Sequence, residues 1–109
     1  MAYDEGLAEL LRSDLSELGD VAEKKMFGGL CFMVGGHMTC LASADHGMVR
    51  VGKQAEAAAL EIAGVSPMQR TGRRMPGFVE VTPEALADDR IRADLLAMAL
   101  AFVRSLPPK

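Results

Sequence analysis

Residues 24–52, KKMFGGLCFMVGGHMTCLASADHGMVRVG, constrain the fold more than any other part of the chain. Three short apolar runs lie here, separated by glycine-containing segments. Apolar runs of this length, bounded by turn residues, are typical of strands. The pair Gly35-Gly36 between two runs predicts a two-residue hairpin, because the turns that join paired strands need positive φ. The stretch therefore predicts antiparallel strands at the centre of the fold.

The predicted hairpin has a definite register. With Gly35 and Gly36 as the turn, Cys31 lies opposite Cys40, and a disulfide between them is geometrically feasible, although a reducing cytosol would keep both thiols. Side chains alternate between the two faces of a strand, so one face carries both cysteines and two methionines. That face holds Cys31, Met33, Met38 and Cys40.

Helical patterns lie on both sides of this stretch. Leucines at helical spacing predict a helix over residues 3–18, and alanine-rich residues 54–63 predict a second. Thr82 followed by Pro83 is a typical helix start, and Asp88 is an alternative cap for a second start one turn later. The apolar stripe that follows predicts a long C-terminal helix.

The predicted strands cover residues 26–34, 37–42, 48–51 and 78–81, with a charged connector at 20–25 and an irregular loop at 65–77. The first strand contains Gly28 and Gly29, which indicate a bulge or a close approach of another group. A neighbouring helix is the favoured group, and a ligand is the alternative. The order is α-β-β-β-α-β-α: one α+β domain, residues 1–109, whose antiparallel sheet has helices packed over one face.

Composition restricts the function. The formal net charge of −3 argues against direct binding to nucleic acid, which needs a basic surface. Two cysteines are too few for a secreted disulfide framework, and the N-terminus lacks the basic and apolar blocks of a signal peptide. No apolar run is long enough to cross a membrane. We expect a cytoplasmic protein without a membrane segment.

Catalytic chemistry has little support. Ser43, Asp45 and His46 are the residue types of a hydrolytic triad, but all three fall in one tight turn. A triad needs the imidazole to bridge the nucleophile and the carboxylate, which neighbours in a turn rarely allow. These residues are more typical of turn formation. We expect a protein that is not an enzyme.

Metal and anion sites remain alternatives. The spacing of the cysteines and histidines is not that of a zinc site, but Cys31 and Cys40 with the two methionines of their face would suit a cuprous ion. The competing interpretation is that these side chains pack in the core, and no cofactor is expected. Arg70, Arg73 and Arg74 lie in the predicted loop as an anion-binding or partner-binding cluster, or as a solvated patch.

Three segments carry a family resemblance: EKKMFGGLCFMVGGHMTC, GMVRVG and PMQRTGRRMPGFVEV. They resemble the N-terminal domain of the TfoX/Sxy family, bacterial regulators of competence for DNA uptake. The matching features are a basic residue before Met-Phe-Gly-Gly, the glycine-turned hairpin, and the Gly-Arg-x-Met-x-Gly-Phe segment. The similarity covers essentially the whole chain, and full-length members carry a second, C-terminal domain beyond it.

The resemblance implies an α+β domain with an antiparallel sheet, and a role in transcriptional activation together with a cyclic-AMP receptor protein. No catalytic residues are established for the family. We therefore expect a regulatory domain that acts through protein contacts, with a small-ligand, metal or thiol site at Cys31 and Cys40 or at the loop arginines as the alternative. A homodimer is also left open. The candidate contact residues are Lys25, Met26, Phe27, Gly28, Gly29, Arg70, Arg73 and Arg74.

Overall fold

Six strands and four helices follow one another in the computed structural model, which describes residues 3–26, 28–70 and 72–107 but not the side chains of residues 69, 70, 73 and 74. The helices are α1 (Glu5–Asp14), α2 (Lys53–Leu60), α3 (Pro83–Ala87) and α4 (Asp89–Arg104). The strands are β1 (Val21–Met26), β2 (Gly29–Val34), β3 (His37–Ser43), β4 (Gly47–Arg50), β5 (Val65–Arg70) and β6 (Arg73–Val81).

All the strands belong to one antiparallel sheet with the order β1-β2-β3-β4-β6-β5. The hairpin at Gly35 and Gly36 joins β2 to β3, both glycines have positive φ, and both strands are internal. The predicted α+β class and the antiparallel pairing are confirmed. β1 and β5 form the two open edges of the sheet.

Side-chain caps start three of the helices, and the sequence predicts two of them, those at Thr82 and Asp88. Asp4 accepts the Leu7 N–H at the start of α1 (3.1 Å), and Thr82 accepts the Ala85 N–H at the start of α3 (3.2 Å). Asp88 ends α3 and caps α4, so the predicted second start is confirmed. The first helix ends at Asp14, four residues before the predicted end, and α2 begins and ends earlier than expected.

The helices cover one face of the sheet, as predicted. Leucines and alanines of the helices pack there against β-branched and aromatic residues of the strands. Burial of such apolar surface is the main source of stability for a domain of this size. The largest fully buried members are Phe32, Leu11, Leu15, Leu86, Leu95, Val49, Val51, Val79 and Val81.

The opposite face carries a second cluster, which we call the methionine face. In the described part of the chain, no helical residue belongs to it. Unbranched thioether side chains adapt to irregular surfaces, which suits a face without a helical layer. Its members are the buried Cys31, Leu41, Met48 and Met68 and the half-buried Met26, Met33, Met38, Met75 and Phe78.

Arg92 joins the helices beneath the sheet. Its buried guanidinium donates to Asp14 of α1 (2.5 Å), to Asp89 of α4 (2.8 Å) and to the backbone oxygen of Leu86 in α3 (3.0 Å). A buried cation is costly to desolvate unless its donors are satisfied, and all three nitrogens here have acceptors. The contact fixes α1 against the C-terminal helices.

The predicted order lacked two strands. The residues expected to form a charged connector are β1, and the first half of the expected irregular loop is β5. The expected strand over residues 26–34 is divided by a turn, because Met26 pairs with Gly29. Both missed strands are edges, which accept charged side chains and, in β5, Pro67.

The predicted register of the β2–β3 hairpin is correct only next to the turn. Met33 pairs with Met38, but Phe32 pairs with Cys40 and Cys31 with Leu41. Thr39 is the extra residue of a β-bulge, so every later residue of β3 points to the other face. The predicted pairing of Cys31 with Cys40 is therefore wrong.

The two glycines of the MFGG segment have different tasks. Gly28 lies in the turn after β1 with φ +71°. A Cβ on Gly29 would lie 2.5 Å from the backbone oxygen of Ala42 in β3, so the group that approaches Gly29 is a neighbouring strand. The expectation of a neighbouring helix at this point is wrong.

We predict that Gly29→Ala destabilises the domain by about 2 kcal/mol, since the new methyl group must push β2 away from β3. Gly19→Ala is the matched control, because a Cβ there meets no atom within 4 Å. Urea unfolding of both variants measures the effect. Equal stability of the two variants would contradict the close approach.

Candidate functional site

The candidate residues Lys25, Met26, Gly28 and Gly29 lie at the turn between β1 and β2, on one edge of the sheet. Lys25 and Gly28 are exposed, Met26 is half-buried and Gly29 is buried. Phe27 lies outside the described residues. This hairpin presents a basic side chain and an open strand edge to solvent.

The candidate arginines lie at the opposite end and the opposite edge of the sheet. Arg70 pairs with Arg73 at the tip of the β5–β6 hairpin, and Arg74 follows in β6. Their side chains lie outside the described residues, so the predicted anion contact stays a prediction. The sheet separates this tip from the β1–β2 turn, and the two candidate segments do not form one surface.

Ser43, Asp45 and His46 do contact one another, but in a geometry unlike that of a triad. Ser43 Oγ lies 2.9 Å from His46 Nδ1, and Asp45 Oδ1 lies 2.8 Å from the same nitrogen. A triad uses both ring nitrogens, one for the nucleophile and one for the carboxylate. Ser43 Oγ also donates to the His46 backbone oxygen (3.0 Å), as turn-forming serines do.

The two cysteines lie on opposite faces of the sheet, both as free and buried thiols. Cys31 contacts the sulfur of Met33 (3.7 Å) on the methionine face, whereas Cys40 packs in the helix-side core. The predicted four-residue soft-metal set is therefore not assembled. Within the described ranges, no group of three His, Cys, Asp or Glu side chains is arranged to hold a metal ion.

Burial controls the acidity of both thiols. It raises the pKa of Cys31 to about 11. It raises the pKa of Cys40 further, with smaller contributions from Cys31 and Asp14. Both groups are therefore neutral at pH 7, and the thiolate that reacts with disulfides or binds metal is scarce.

The described residues also form a cleft that the sequence analysis did not predict. It lies where the end of β4, the start of α2, residues 76–78 of β6 and the second half of α4 meet, and its volume is about 700 Å³. In its wall, Arg50 of β4 meets Phe78 of β6 and Phe102 of α4. We call it the Arg50 cleft.

Arg50 lies between two aromatic rings. Its guanidinium carbon is 5.5 Å from the centre of the Phe78 ring and 5.1 Å from that of Phe102. Both distances are within the range of cation–π attraction, which fixes the side chain without neutralising its charge. In the described part of the chain, no carboxylate pairs with this guanidinium.

The start of α2 forms the floor of the cleft. Its N-cap is Gly52, which offers no side-chain acceptor, and the N–H groups of the first turn are left without a capping side chain. The Gly52 N–H itself donates to the Gly77 backbone oxygen (3.0 Å). A Cβ on Gly52 would lie 2.5 Å from the Phe102 ring, so only glycine allows α4 this close.

Glu56 holds the opposite wall. Its buried carboxylate accepts the N–H of Gly77 (2.8 Å), which ties β6 to α2. β6 is thereby bound to the loop before α2 through the Gly52 N–H and to α2 itself through the Glu56 side chain. These hydrogen bonds to the Gly77 backbone hold two walls of the cleft in place, as a pre-formed binding site requires.

Because side chains alternate along a strand, Arg50 lies on the face opposite Val49 and Val51. Sequence reasoning did not connect Arg50 with Phe102, about fifty residues later in the chain. The available local indication was an arginine followed by a glycine at the start of a helix. That pattern alone does not identify a cleft.

The comparison with protein families decides the identity of the domain. The model of the TfoX N-terminal domain matches residues 13–103, which include Arg50, Phe78 and Phe102. The chain belongs to the TfoX N-terminal domain family. No curated protein and no solved structure matches the chain significantly. Among the described residues of this TfoX N-terminal domain, no helix has the length and apolar character needed to cross a membrane.

We predict that the stability of the domain falls as the pH rises above about 9, the ordinary pKa of a cysteine thiol. The folded state holds the proton of Cys31 up to about pH 11, so the unfolded state loses its proton first and is favoured. The contribution of Cys31 is fully present below pH 9, and its loss by pH 11 amounts to about 2 kcal/mol.

Urea unfolding at pH 8 and pH 11 measures this effect, and Cys31→Ala is the control. The variant has lower stability at pH 8 but a smaller loss between the two pH values, because the contribution of Cys31 is gone, whereas other groups that titrate in this range are unchanged. An equal difference in the wild type and the variant would contradict the assignment to Cys31.

Proposed function

We propose that this TfoX N-terminal domain is a non-enzymatic regulatory domain that acts through protein contacts. The proposed partner is a transcription factor of the cyclic-AMP receptor type, in the control of competence for DNA uptake. Family membership supports the regulatory role. The observation that carries the protein contact is the exposed basic edge strand β1.

β1 hydrogen-bonds to β2 on one side only, and its four central residues are exposed. An open edge strand offers unpaired backbone donors and acceptors, to which an extended segment of a partner can add. β5, at the other edge, contains Pro67, which has no backbone N–H to donate. β1 is therefore the better edge for a partner strand.

Charge selects the partner. Arg12 binds Glu23 through two nitrogens (2.7 and 3.0 Å), which neutralises the acidic residue of β1. Lys24 and Lys25 are exposed, and no carboxylate among the described residues pairs with them. Edge lysines hinder indiscriminate strand pairing and favour an acidic partner segment. The net charge of −3 makes a protein a better partner than DNA.

We predict that Lys24→Glu with Lys25→Glu lowers the affinity for a purified cyclic-AMP receptor-type factor by about tenfold or more, because the basic edge then repels an acidic segment. The control, Lys53→Glu with Arg90→Glu, makes the same change in net charge away from β1 and should retain the affinity. Biolayer interferometry with cyclic AMP present measures both, and circular dichroism checks their folds.

Unchanged affinity of the β1 variant contradicts a contact at this edge. Arg73→Ala with Arg74→Ala then tests the β5–β6 tip in the same assay. A pull-down from nuclease-treated bacterial lysate tests the choice of partner. Recovery of the factor only when nucleic acid is intact would contradict a direct protein contact.

A further inference from the structure

We infer that the Arg50 cleft binds a small organic anion, in which a carboxylate or phosphate group is joined to a flat apolar body. This inference goes beyond the proposed protein contact and is independent of that contact. The cleft lies beside β4 and β6, whereas β1 is an edge strand on the other side of the sheet. Size, charge and the fixed arginine each support it.

The cleft has the dimensions of a ligand site. Its volume of about 700 Å³ falls inside the range of 300–1,000 Å³ that is usual for pockets that enclose small molecules. Its walls are largely apolar, and Phe78, Met98 and Phe102 are among the residues that line it. An apolar body of one or two fused rings would replace water on these walls.

The charge of the cleft is opposite to that of the chain. The chain carries fifteen acidic and twelve basic residues, yet the described lining contains Arg50 and Lys53 and no acidic side chain. Glu56 is buried, accepts the Gly77 N–H and is not part of the lining. The local excess of positive charge favours an anion over a neutral or cationic ligand.

Arg50 is the group that would hold the anion. The two phenyl rings restrict its guanidinium, so that less conformational entropy is lost when it binds. A guanidinium presents a planar set of N–H donors that matches both carboxylate and phosphate oxygens. Two phenylalanines from β6 and α4 therefore position an arginine that has no acidic partner among the described residues.

The start of α2 also favours an anion, in addition to Arg50. The N–H groups of its first turn point along the helix axis at its positive end, and Lys53 is the first residue of the helix. An anion held by Arg50 would be in a favourable field there. Carboxylate and phosphate ligands share these contacts, and competition experiments distinguish them.

A matched pair of dyes tests the inference. 1-Anilinonaphthalene-8-sulfonate carries a sulfonate, which stands in for the biological anion, and N-phenyl-1-naphthylamine has the same apolar body without charge. We predict saturable binding of the sulfonate dye to the native domain, with enhanced fluorescence. Arg50→Gln should weaken it about tenfold, as expected for loss of a charge-assisted contact, and should leave the neutral dye unaffected.

Arg90→Gln is the matched control, because it removes one arginine charge from an exposed position of α4 outside the cleft. It should leave the affinity for both dyes unchanged. Lys53→Gln is a second test variant. Unlike the control, it should lose affinity for the sulfonate dye and keep its affinity for the neutral dye. Near-native circular dichroism and thermal unfolding are required of each variant, since partly unfolded protein also binds these dyes.

Displacement of the dye by phenyl phosphate or by phenylacetate, but not by benzyl alcohol, supports the inference and shows which anion is preferred. Equal affinity of Arg50→Gln, Lys53→Gln and the wild type for the sulfonate dye overturns it. The absence of saturable binding by the sulfonate dye and both anions also overturns it. None of these outcomes bears on the β1 contact, so the two proposals succeed or fail separately.

Discussion

One extra residue in β3 decides what each layer of this domain is made of. Thr39 has no partner in β2, and side chains along a strand alternate with a period of two. Beyond the bulge, Leu41 therefore reaches the methionine face and Cys40 the helix-side core. Without the bulge the two residues would exchange faces, and a thiol would replace a leucine beside Met48. The separation of the cysteines follows from this single irregularity.

Short-range patterns in the sequence were sufficient for much of the fold. The caps at Thr82 and Asp88, the turn at Gly35 and Gly36 and the α+β class all follow from local chemistry. The edge strands did not, since an edge exposed to solvent has no apolar alternation, and the proline in β5 is itself typical of an irregular segment. The bulge could not be predicted either, because threonine is common in regular strands and does not indicate a bulge.

Less of the candidate site than of the fold could be predicted from the sequence. The sequence suggested candidate chemistry at the Ser43 turn and at the two cysteines. These residues are near one another in the chain, and their contacts are structural. The Arg50 cleft depends on the meeting of β4, β6 and α4, whose residues are far apart in sequence. Family membership could be predicted because its motifs are local segments, and the match over residues 13–103 confirms it.

The unequal division of side-chain types between the two faces has a spectroscopic consequence. Six of the eight methionines belong to the methionine face, whereas Val49, Val51, Val79 and Val81 point to the helices. Selective isotope labelling of methionine methyl groups would therefore give NMR resonances that report mainly on one surface of the sheet. Valine labelling would report on the other surface. A structural change confined to one face of the sheet would then be assigned to that face according to whether methionine or valine signals are perturbed.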